Sequence, residues 1–327
     1  MFEIVRGEDL NINGLIIVLY GDPSTGKTST ALTASKPILF DFDGGAQRSG
    51  FKVGKPIVRI VKWEEIVSSL GSLEATLKDY DTIVLDTVET CLDYIRIYIE
   101  DQDYKLKTNT LKMYGKLKDE FYSFINRITK LDKTIILIAH ATTEEKNGTV
   151  RTCPKITGGS KDIVRQKADF MGYLFMNNNK RTLNFNPTDF YEGKNSANFP
   201  VIELPDFKAE PEYFTKKIAD MRNALTIVSA DQDKALKQIE TITEKIKSAN
   251  SADDLHALLK EMKTAAFKSG IKAQLWEKTK ARATDLGLEY HKAEEKFFPI
   301  PKAEPVPAPA NVPAPASAPE SQDFTFE

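Results

Sequence analysis

The sequence has few of the residues that form disulfides or structural metal sites. Its 327 residues include two cysteines, Cys91 and Cys153, and three histidines that lie far apart in the chain. So few cysteines in a chain of this length favour a reducing compartment and argue against a disulfide scaffold. The scattered histidines argue against a structural metal.

The sequence also lacks a long apolar run and a strong net charge. No run approaches the roughly eighteen residues of a membrane-spanning helix, and no charged-then-apolar leader follows Met1. We therefore expect a cytoplasmic protein with no membrane contact. The net charge of −2 excludes a global basic field, so any nucleic acid must be bound by local basic patches.

Residues 21–28 match the pattern G-x-x-x-x-G-K-[ST] at every fixed position and follow an apolar run at residues 15–20. This pattern is typical of a phosphate-binding loop (P-loop), whose backbone N–H groups hold a β-phosphate at the start of a helix. Lys27 would reach the β- and γ-phosphates of ATP, and Thr28 would bind Mg²⁺. The predicted nucleotide-binding residues are Gly21, Asp22, Pro23, Ser24, Thr25, Gly26, Lys27, Thr28 and Ser29.

Short apolar stretches alternate with helical stretches on both sides of this loop. Strands are predicted at residues 15–20, 38–40, 57–61, 82–85 and 134–139, and helices at residues 26–35, 63–77 and 88–131. This order is typical of an α/β protein with a mainly parallel sheet covered by helices on both faces. The predicted fold class is therefore α/β with a P-loop NTPase core.

Other segments are predicted from turn and breaker residues. A short strand is plausible at residues 2–5, and the polar, basic residues 141–168 predict a long functional loop. Asn177-Asn178-Asn179 lies between two apolar stretches and indicates a β-hairpin.

The C-terminal part has the composition of amphipathic helices followed by a tail. Ser251 begins a predicted capping box, and Ser269-Gly270 would end that helix. Proline and alanine dominate residues 299–319, which predicts an extended linker before an acidic end with Phe324 and Phe326. We divide the chain into an ATPase core (1–225), a helical bundle or hairpin (226–296) and a disordered tail (297–327).

Acidic residues at strand ends supply the remaining chemistry of an ATPase. Asp86 ends an apolar run and fits the second Mg²⁺ ligand beside Thr28. Hydrolysis also needs a carboxylate that orients or deprotonates water, and both Asp43 and Glu89 are candidates. We favour Asp43, because an acid in the first turn of a helix, such as Glu89, often only complements the helix dipole.

His140 ends the strand after the one that carries Asp86, so we expect it at the same sheet edge. There it would sense the γ-phosphate, or the water beside it, and pass that contact to residues 141–168.

Two local basic stretches contrast with the near-neutral average. Residues 104–118 contain five lysines, no acid and two interleaved tyrosines, and residues 144–167 carry more basic than acidic residues. Lysine with tyrosine suits phosphate contacts combined with base stacking. The candidate DNA contacts are Lys105, Lys107, Lys112, Lys116, Lys146, Arg151, Lys155, Lys161 and Arg165.

The order of these elements resembles the core of the RecA family, and more closely the core-only RecA-like ATPases of bacteriophages that accompany single-strand annealing and recombination. The resemblance covers residues 14–205. It implies a RecA-like core, with Asp43 in the position of the catalytic base and Asp86-Thr87 at the Mg²⁺ site. His140 stands where the family has a glutamine that couples nucleotide to DNA binding.

The resemblance also implies DNA-binding loops and a contact between subunits. Thr157-Gly158-Gly159 resembles the second DNA-binding loop of the family, and residues 104–118 would serve as the first. Lys194 matches the lysine of the Lys-x-Arg finger that related hexameric motors insert into a neighbouring site. Ser196 replaces the arginine of that finger, and Lys180 or Arg181 could substitute for it.

Three functions are compatible with these observations. The first is an ATP-dependent, oligomeric recombination or annealing protein that binds single-stranded DNA, with ATP at subunit interfaces. The second is a ring-forming DNA motor of the helicase or packaging class. The third is a nucleotide-switched binding module with little turnover, which captures a partner through residues 230–295. A single-strand-binding or recombination protein is a separate candidate partner of the C-terminal region.

Overall fold

The computed structural model describes residues 14–146, 148–265, 267 and 269–300. The predicted strand at residues 2–5, most of the Pro/Ala-rich linker and the acidic end lie outside the described residues. The chain divides into two units, residues 1–231 and 232–327.

The first unit is built on one large sheet. Its strands are β1 (Ile16–Gly21), β2 (Pro37–Asp41), β3 (Ile57–Arg59), β4 (Thr82–Asp86), β5 (Thr134–Lys146), β6 (Thr149–Pro154), β7 (Phe170–Asn177), β8 (Lys180–Asn184), β9 (Lys194–Asn195) and β10 (Ile202–Glu203). Its helices are α1 (Lys27–Ala31), α2 (Trp63–Ser69), α3 (Leu73–Leu77), α4 (Val88–Gln102), α5 (Thr110–Thr129) and α6 (Ser160–Lys167). Short 3₁₀ helices occupy Gly45–Arg48 and Tyr104–Thr108. Helix α7 (Tyr213–Ser248) begins in this unit and ends in the second.

The strand order is β10-β8-β7-β1-β5-β4-β2-β3, and the strands from β7 to β3 run parallel. Successive side chains of each strand alternate between two buried clusters. Ile16 and Val18 pack with the helices α2–α6, whereas Ile17 and Leu19 pack with α1 and α7. Burial on both faces explains why these strands are continuous apolar runs in the sequence. The predicted α/β fold with a mainly parallel sheet is confirmed.

The strand register collects polar residues at one edge of the sheet. Gly21 pairs with His140, and Asp41 pairs with Asp86. Gly21, Asp41 and Asp86 end their strands, and His140 is the last residue of β5 that pairs with β1. The residues at and just beyond these positions therefore meet in one crevice at this edge of the sheet.

The prediction of a long loop at residues 141–168 is wrong. Strand β5 continues to Lys146 and forms an antiparallel hairpin with β6, and α6 occupies Ser160–Lys167. The Thr/Val-rich stretches around Asn147-Gly148 are a hairpin signal, because an Asn-Gly pair favours the tight turn between two strands. Gly148 has a φ of 76°, which suits such a turn.

The second unit has helices α8 (Ala252–Thr264) and α9 (Ser269–Asp285) and a β-hairpin of β11 (Leu288–His291) and β12 (Lys296–Pro299). The capping box at Ser251 is confirmed, with Asp254 as its second member. The prediction that Ser269-Gly270 ends α8 is wrong, because α8 ends at Thr264 and Ser269 begins α9. Phe267, which lies between the two helices in the sequence, is buried in the core of this unit. The hairpin was not predicted from the sequence.

Within the described ranges, no helix combines the length and the apolar character needed to cross a membrane.

Candidate active site

The loop between β1 and α1 has a shape that requires both of its glycines. A Cβ atom on Gly21 would lie 2.2 Å from the carbonyl oxygen of Leu174 on β7, so no larger residue fits there. Gly26 has a φ of 101°, in the left-handed region that disfavours residues with a Cβ. The hydroxyl of Thr25 donates to the Asp22 carbonyl oxygen at 2.9 Å and closes the loop.

Lys27 is held inside this loop by backbone oxygens. Its ammonium donates to the carbonyl oxygens of Gly21 and Asp22, both at 2.8 Å, and the residue is only 6% exposed. Burial lowers the pKa of Lys27, while the negative charge of Asp86 acts in the opposite direction. The positive charge therefore lies within the loop that matches the phosphate-binding pattern.

Thr28 and Asp86 contact each other at the end of this loop. The Thr28 hydroxyl donates to Asp86 Oδ2 at 2.6 Å, and Asp86 is 3% exposed. Burial raises the pKa of Asp86 to about 7, against the lowering effect of the Thr28 hydrogen bond. A buried carboxylate beside a hydroxyl is the kind of oxygen donor set that Mg²⁺ takes in P-loop proteins, so the two residues fit this metal. When bound, Mg²⁺ would neutralise part of the phosphate charge.

The loop and Asp86 open into a cavity of about 360 Å³. That volume lies within the range of about 300–1,000 Å³ for small-molecule sites. The wall is formed by Pro23, Ser24, Gly26, Lys27, Thr28, Ser29, Asp43, Gly45, Arg48, Ser49, Gly50, Asp86, Thr87, His140 and Arg181. Sequence reasoning missed Arg48 and Ser49, which no motif marks, and did not place Arg181 in the site of its own chain.

The two candidates for the water-activating carboxylate lie in different surroundings. Asp43 lines the cavity, and its Oδ1 accepts a 2.6 Å hydrogen bond from the Gly45 backbone N–H. Glu89, in the first turn of α4, is not part of the cavity wall. Its carboxylate accepts a long 3.4 Å contact from the His140 backbone N–H and lies 3.5 Å from the Lys155 ammonium. This geometry favours Asp43 over Glu89.

His140 lies at the cavity wall with a buried ring nitrogen. Its Nδ1 has no hydrogen-bond partner among the described residues, and its Nε2 lies 4.0 Å from a Glu89 carboxylate oxygen. An unpartnered buried nitrogen is a group that a phosphate oxygen or a bound water would satisfy. The proposed sensor role of His140 is therefore compatible with its position.

Lys194 is not at the cavity of its own chain. It lies on β9 opposite Met171, near the start of β7, and its ammonium donates to the carbonyl oxygens of Arg165 and Gln166 at 3.0 and 3.1 Å. These oxygens belong to the last turn of α6, which the lysine caps. A role as a finger toward a neighbouring subunit remains a proposal, and it would require the ammonium to leave these carbonyls.

The two predicted basic stretches are adjacent in the structure. A Cβ atom on Gly158 would lie 3.3 Å from the Tyr114 ring, and one on Gly159 would lie 2.9 Å from Lys118 Cδ. The segment 157–159 therefore packs against α5. Residues 104–118 form a 3₁₀ helix and the start of α5, and they are not the loop that the family resemblance implied.

The candidate DNA-contacting residues differ in how accessible their charges are. Lys161 is 7% exposed and its ammonium pairs with Glu144, so it is not available as a surface phosphate contact. Arg165 makes a forked ion pair with Glu192, at 2.5 and 2.8 Å. Both ion pairs anchor α6, so these two charges are less accessible than those of the exposed lysines, and their contact with DNA stays a prediction.

Other members of the set remain on the surface. Those whose side chains are exposed are Lys105, Lys107, Lys112, Lys116 and Lys155. Arg151 is half-buried on β6, and Lys146 is the last residue of β5. Lys107 and Lys116 lie within 4 Å of acids, Asp101 and Asp103. Such exposed pairs are weak and would exchange readily for phosphate contacts.

Comparison with known proteins agrees with this geometry. The chain is similar to the SPbeta prophage-derived uncharacterized protein YorG of Bacillus subtilis (strain 168), at 22% identity over 293 residues that cover 84% of this chain and 86% of that protein. A family model described as an AAA domain matches residues 13–197, a range that contains the P-loop, Asp43, Asp86 and His140. The chain belongs to this AAA domain family of P-loop ATPases.

Proposed function

We propose that the protein hydrolyses ATP with Mg²⁺ and acts in recombination or annealing. The bound nucleotide controls its affinity for single-stranded DNA. The observation that carries the ATPase part is the 2.6 Å hydrogen bond between Thr28 and Asp86, made beside the buried Lys27. The P-loop threonine, the acid of a neighbouring strand and the lysine are the groups that this chemistry requires.

Each group has a separate task in hydrolysis. Lys27 exchanges its bonds to the Gly21 and Asp22 carbonyl oxygens for the phosphates of ATP. Asp43 orients the attacking water and accepts its proton. The Nδ1 of His140, which has no hydrogen-bond partner among the described residues, contacts the terminal phosphate or that water.

The link to DNA is supported by contacts on the other side of His140. The Lys155 backbone N–H donates to the His140 carbonyl oxygen at 2.8 Å, and the Lys155 ammonium lies 3.5 Å from Glu89. Residues 157–159 follow directly and pack on Tyr114 and Lys118 of α5. A movement of His140 on nucleotide binding would therefore be transmitted to both basic stretches, through its hydrogen bond with Lys155 and the packing of residues 157–159 on α5.

The decisive experiment measures ATP hydrolysis and single-strand affinity together. We expect single-stranded DNA to stimulate hydrolysis, and a non-hydrolysable ATP analogue to tighten binding of a fluorescent oligonucleotide. Lys27→Ala should abolish hydrolysis and the nucleotide effect while leaving the affinity without nucleotide unchanged. Affinity that is indifferent to nucleotide in the wild type would reject the coupling, and an absence of hydrolysis under all conditions would reject the ATPase.

Assembly is part of the same proposal, with ATP at the interfaces of a homo-oligomer. Sizing in the presence and absence of ATP tests it directly. A single-strand-binding or recombination protein remains a candidate partner of the C-terminal region.

One observation favours a second candidate function, the nucleotide-switched binding module with little ATP turnover. Lys194 caps α6 in its own chain, and Ser196 donates to the Asp169 carbonyl oxygen at 2.7 Å instead of supplying an arginine. Without a finger from a neighbour, hydrolysis is expected to be slow, because such a finger accounts for about 10³–10⁵ in rate. Slow turnover that DNA does not change would favour the switch, and strand displacement by the purified protein would favour a ring-forming motor.

A further inference from the structure

The hairpin of β7 and β8 extends beyond the end of β1, at the edge of the sheet where the P-loop lies. Strand β7 is parallel to β1, with Tyr173 level with Tyr20, and it continues to Asn177, beyond the end of β1. The chain reverses at Asn178 and Asn179, whose φ values are 47° and 63°. Asparagine tolerates this left-handed pair, which is typical of two-residue hairpin turns.

Arg181 is the residue of this hairpin that faces the loop. It pairs with Met176 across the hairpin, and its side chain lies against Gly26. A Cβ atom on Gly26 would be 3.4 Å from Arg181 Cδ and 3.8 Å from Nη1. In the part of the chain that the structure describes, the Arg181 guanidinium has no hydrogen bond or ion pair, whereas Lys180 pairs with Glu203 at 2.8 Å.

The sheet order separates Arg181 from the metal and water groups. Asp86 ends β4 and Asp43 follows β2, both on one flank of the P-loop strand, and Arg181 lies on β8 at the other flank. With a terminal phosphate beside Asp43 and Asp86, where the proposed function puts the attacking water, the inner phosphates would extend from Lys27 toward the Arg181 flank.

We propose that Arg181 forms, within its own chain, a binding subsite for the inner phosphates of the nucleotide. This inference rests on the proposed nucleotide-binding function, and it differs from the idea that Arg181 is a finger for a neighbouring subunit. The guanidinium supplies a planar fork of donors that matches two phosphate oxygens. Because ATP and ADP share the inner phosphates, the subsite holds both nucleotides, whereas a finger directed at a γ-phosphate would discriminate between them.

The test compares affinities for fluorescently labelled ATP and ADP, using the full chain. We expect Arg181→Ala to weaken both by a similar factor, about tenfold to a hundredfold, because charge-assisted hydrogen bonds are lost. Arg181→Lys should restore part of the affinity, since it keeps the charge and loses the fork. The factor should be the same at low and high protein concentration, because the contact lies within one chain.

Two further variants separate the possible failures. Met176→Ala alters the opposite residue of the same hairpin, which is not in the cavity wall, and should leave both affinities unchanged. Lys27→Ala should abolish binding. Unchanged affinities in Arg181→Ala, or a loss confined to ATP, would overturn the subsite while Lys27→Ala still upheld the nucleotide site. A wild type that binds neither nucleotide would reject the proposed function as well.

Discussion

Thr28 and Asp86, which lie far apart in the sequence, are joined by a 2.6 Å hydrogen bond in which the hydroxyl donates to a carboxylate that is 3% exposed. That single bond does not compensate for the burial of a negative charge, and burial raises the pKa of Asp86 to about 7. A cation bound beside Asp86 would therefore stabilise the charged form of this carboxylate.

The first prediction concerns the stability of the nucleotide-free protein. The folded pKa of Asp86 is raised, so the folded state binds a proton more tightly than the unfolded state, and stability is lost as pH rises from about 4 to 7. Asp86→Asn removes this effect. We expect the variant to be more stable than the wild type by about 2–4 kcal/mol at pH 8, and nearly equal to it below pH 4.

Denaturant unfolding without metal or nucleotide measures this difference, and stabilisation by Mg²⁺ and ATP should disappear in the variant. Asp79→Asn, an exposed acid outside the cavity wall, is the control and should show no pH-dependent gap. An Asp86→Asn variant that is less stable than the wild type at every pH contradicts the prediction.

The second prediction compares two glycines. Gly21→Ala would place a Cβ atom 2.2 Å from the Leu174 carbonyl oxygen, so β1 or β7 must move. We expect a loss of more than about 2 kcal/mol of unfolding free energy, together with loss of nucleotide binding. Gly115→Ala is the matched control: Gly115 lies within α5, and an added Cβ atom there would meet no described residue within 4 Å apart from the backbone of its own helix. This substitution should stabilise the protein by about 0.5–1 kcal/mol. Equal effects of the two substitutions would show that the close approach at Gly21 does not matter.

The third prediction identifies the water-activating carboxylate. Asp43→Asn should lower the hydrolysis rate by about 10²–10⁴ while nucleotide affinity is retained, because Asp43 lines the cavity and loses only its ability to accept a proton. Glu89→Gln keeps the side-chain shape near His140 and should have a much smaller effect on the rate. Single-turnover hydrolysis of bound ATP measures both, and the reverse ranking would assign the role to Glu89.

The fourth prediction concerns the second unit. Ser251 accepts a hydrogen bond from the Asp254 N–H and caps α8. Ser251→Ala removes this acceptor, and amide hydrogen exchange in the first turn of α8 should accelerate about five- to tenfold. Ser251→Asp keeps an acceptor at the cap and should retain most of the protection. Unchanged exchange in Ser251→Ala would mean that the cap does not hold this helix end.

The sequence predicted the parts of the site that local patterns encode. The P-loop and the strand that ends at Asp86 are short, contiguous signals, because glycine conformation and apolar runs act over a few residues. The hairpin around Asn178 was equally local, since its turn residues lie beside its strands.

Other features depend on contacts that no local pattern contains. Arg181 reaches the cavity because β8 lies two strands from β1, an order that only the folded sheet defines. Lys161 looks like a surface cation in the sequence, but α6 buries it against Glu144. The capping of α6 by Lys194 likewise depends on the pairing of β9 with β7.

The pairing of Gly21 with His140 has a consequence for how the molecule is held together. The crevice forms only when β1 has paired with β5, which lies more than a hundred residues later in the sequence, and β5 has paired with β4. A bound nucleotide therefore recognises only the fully paired sheet and stabilises its long-range contacts. It raises the free energy of unfolding by about 2.7 kcal/mol when its concentration is about 100 times the dissociation constant. A fragment cleaved before His140 would keep the whole phosphate loop sequence and lose the crevice in which that loop works.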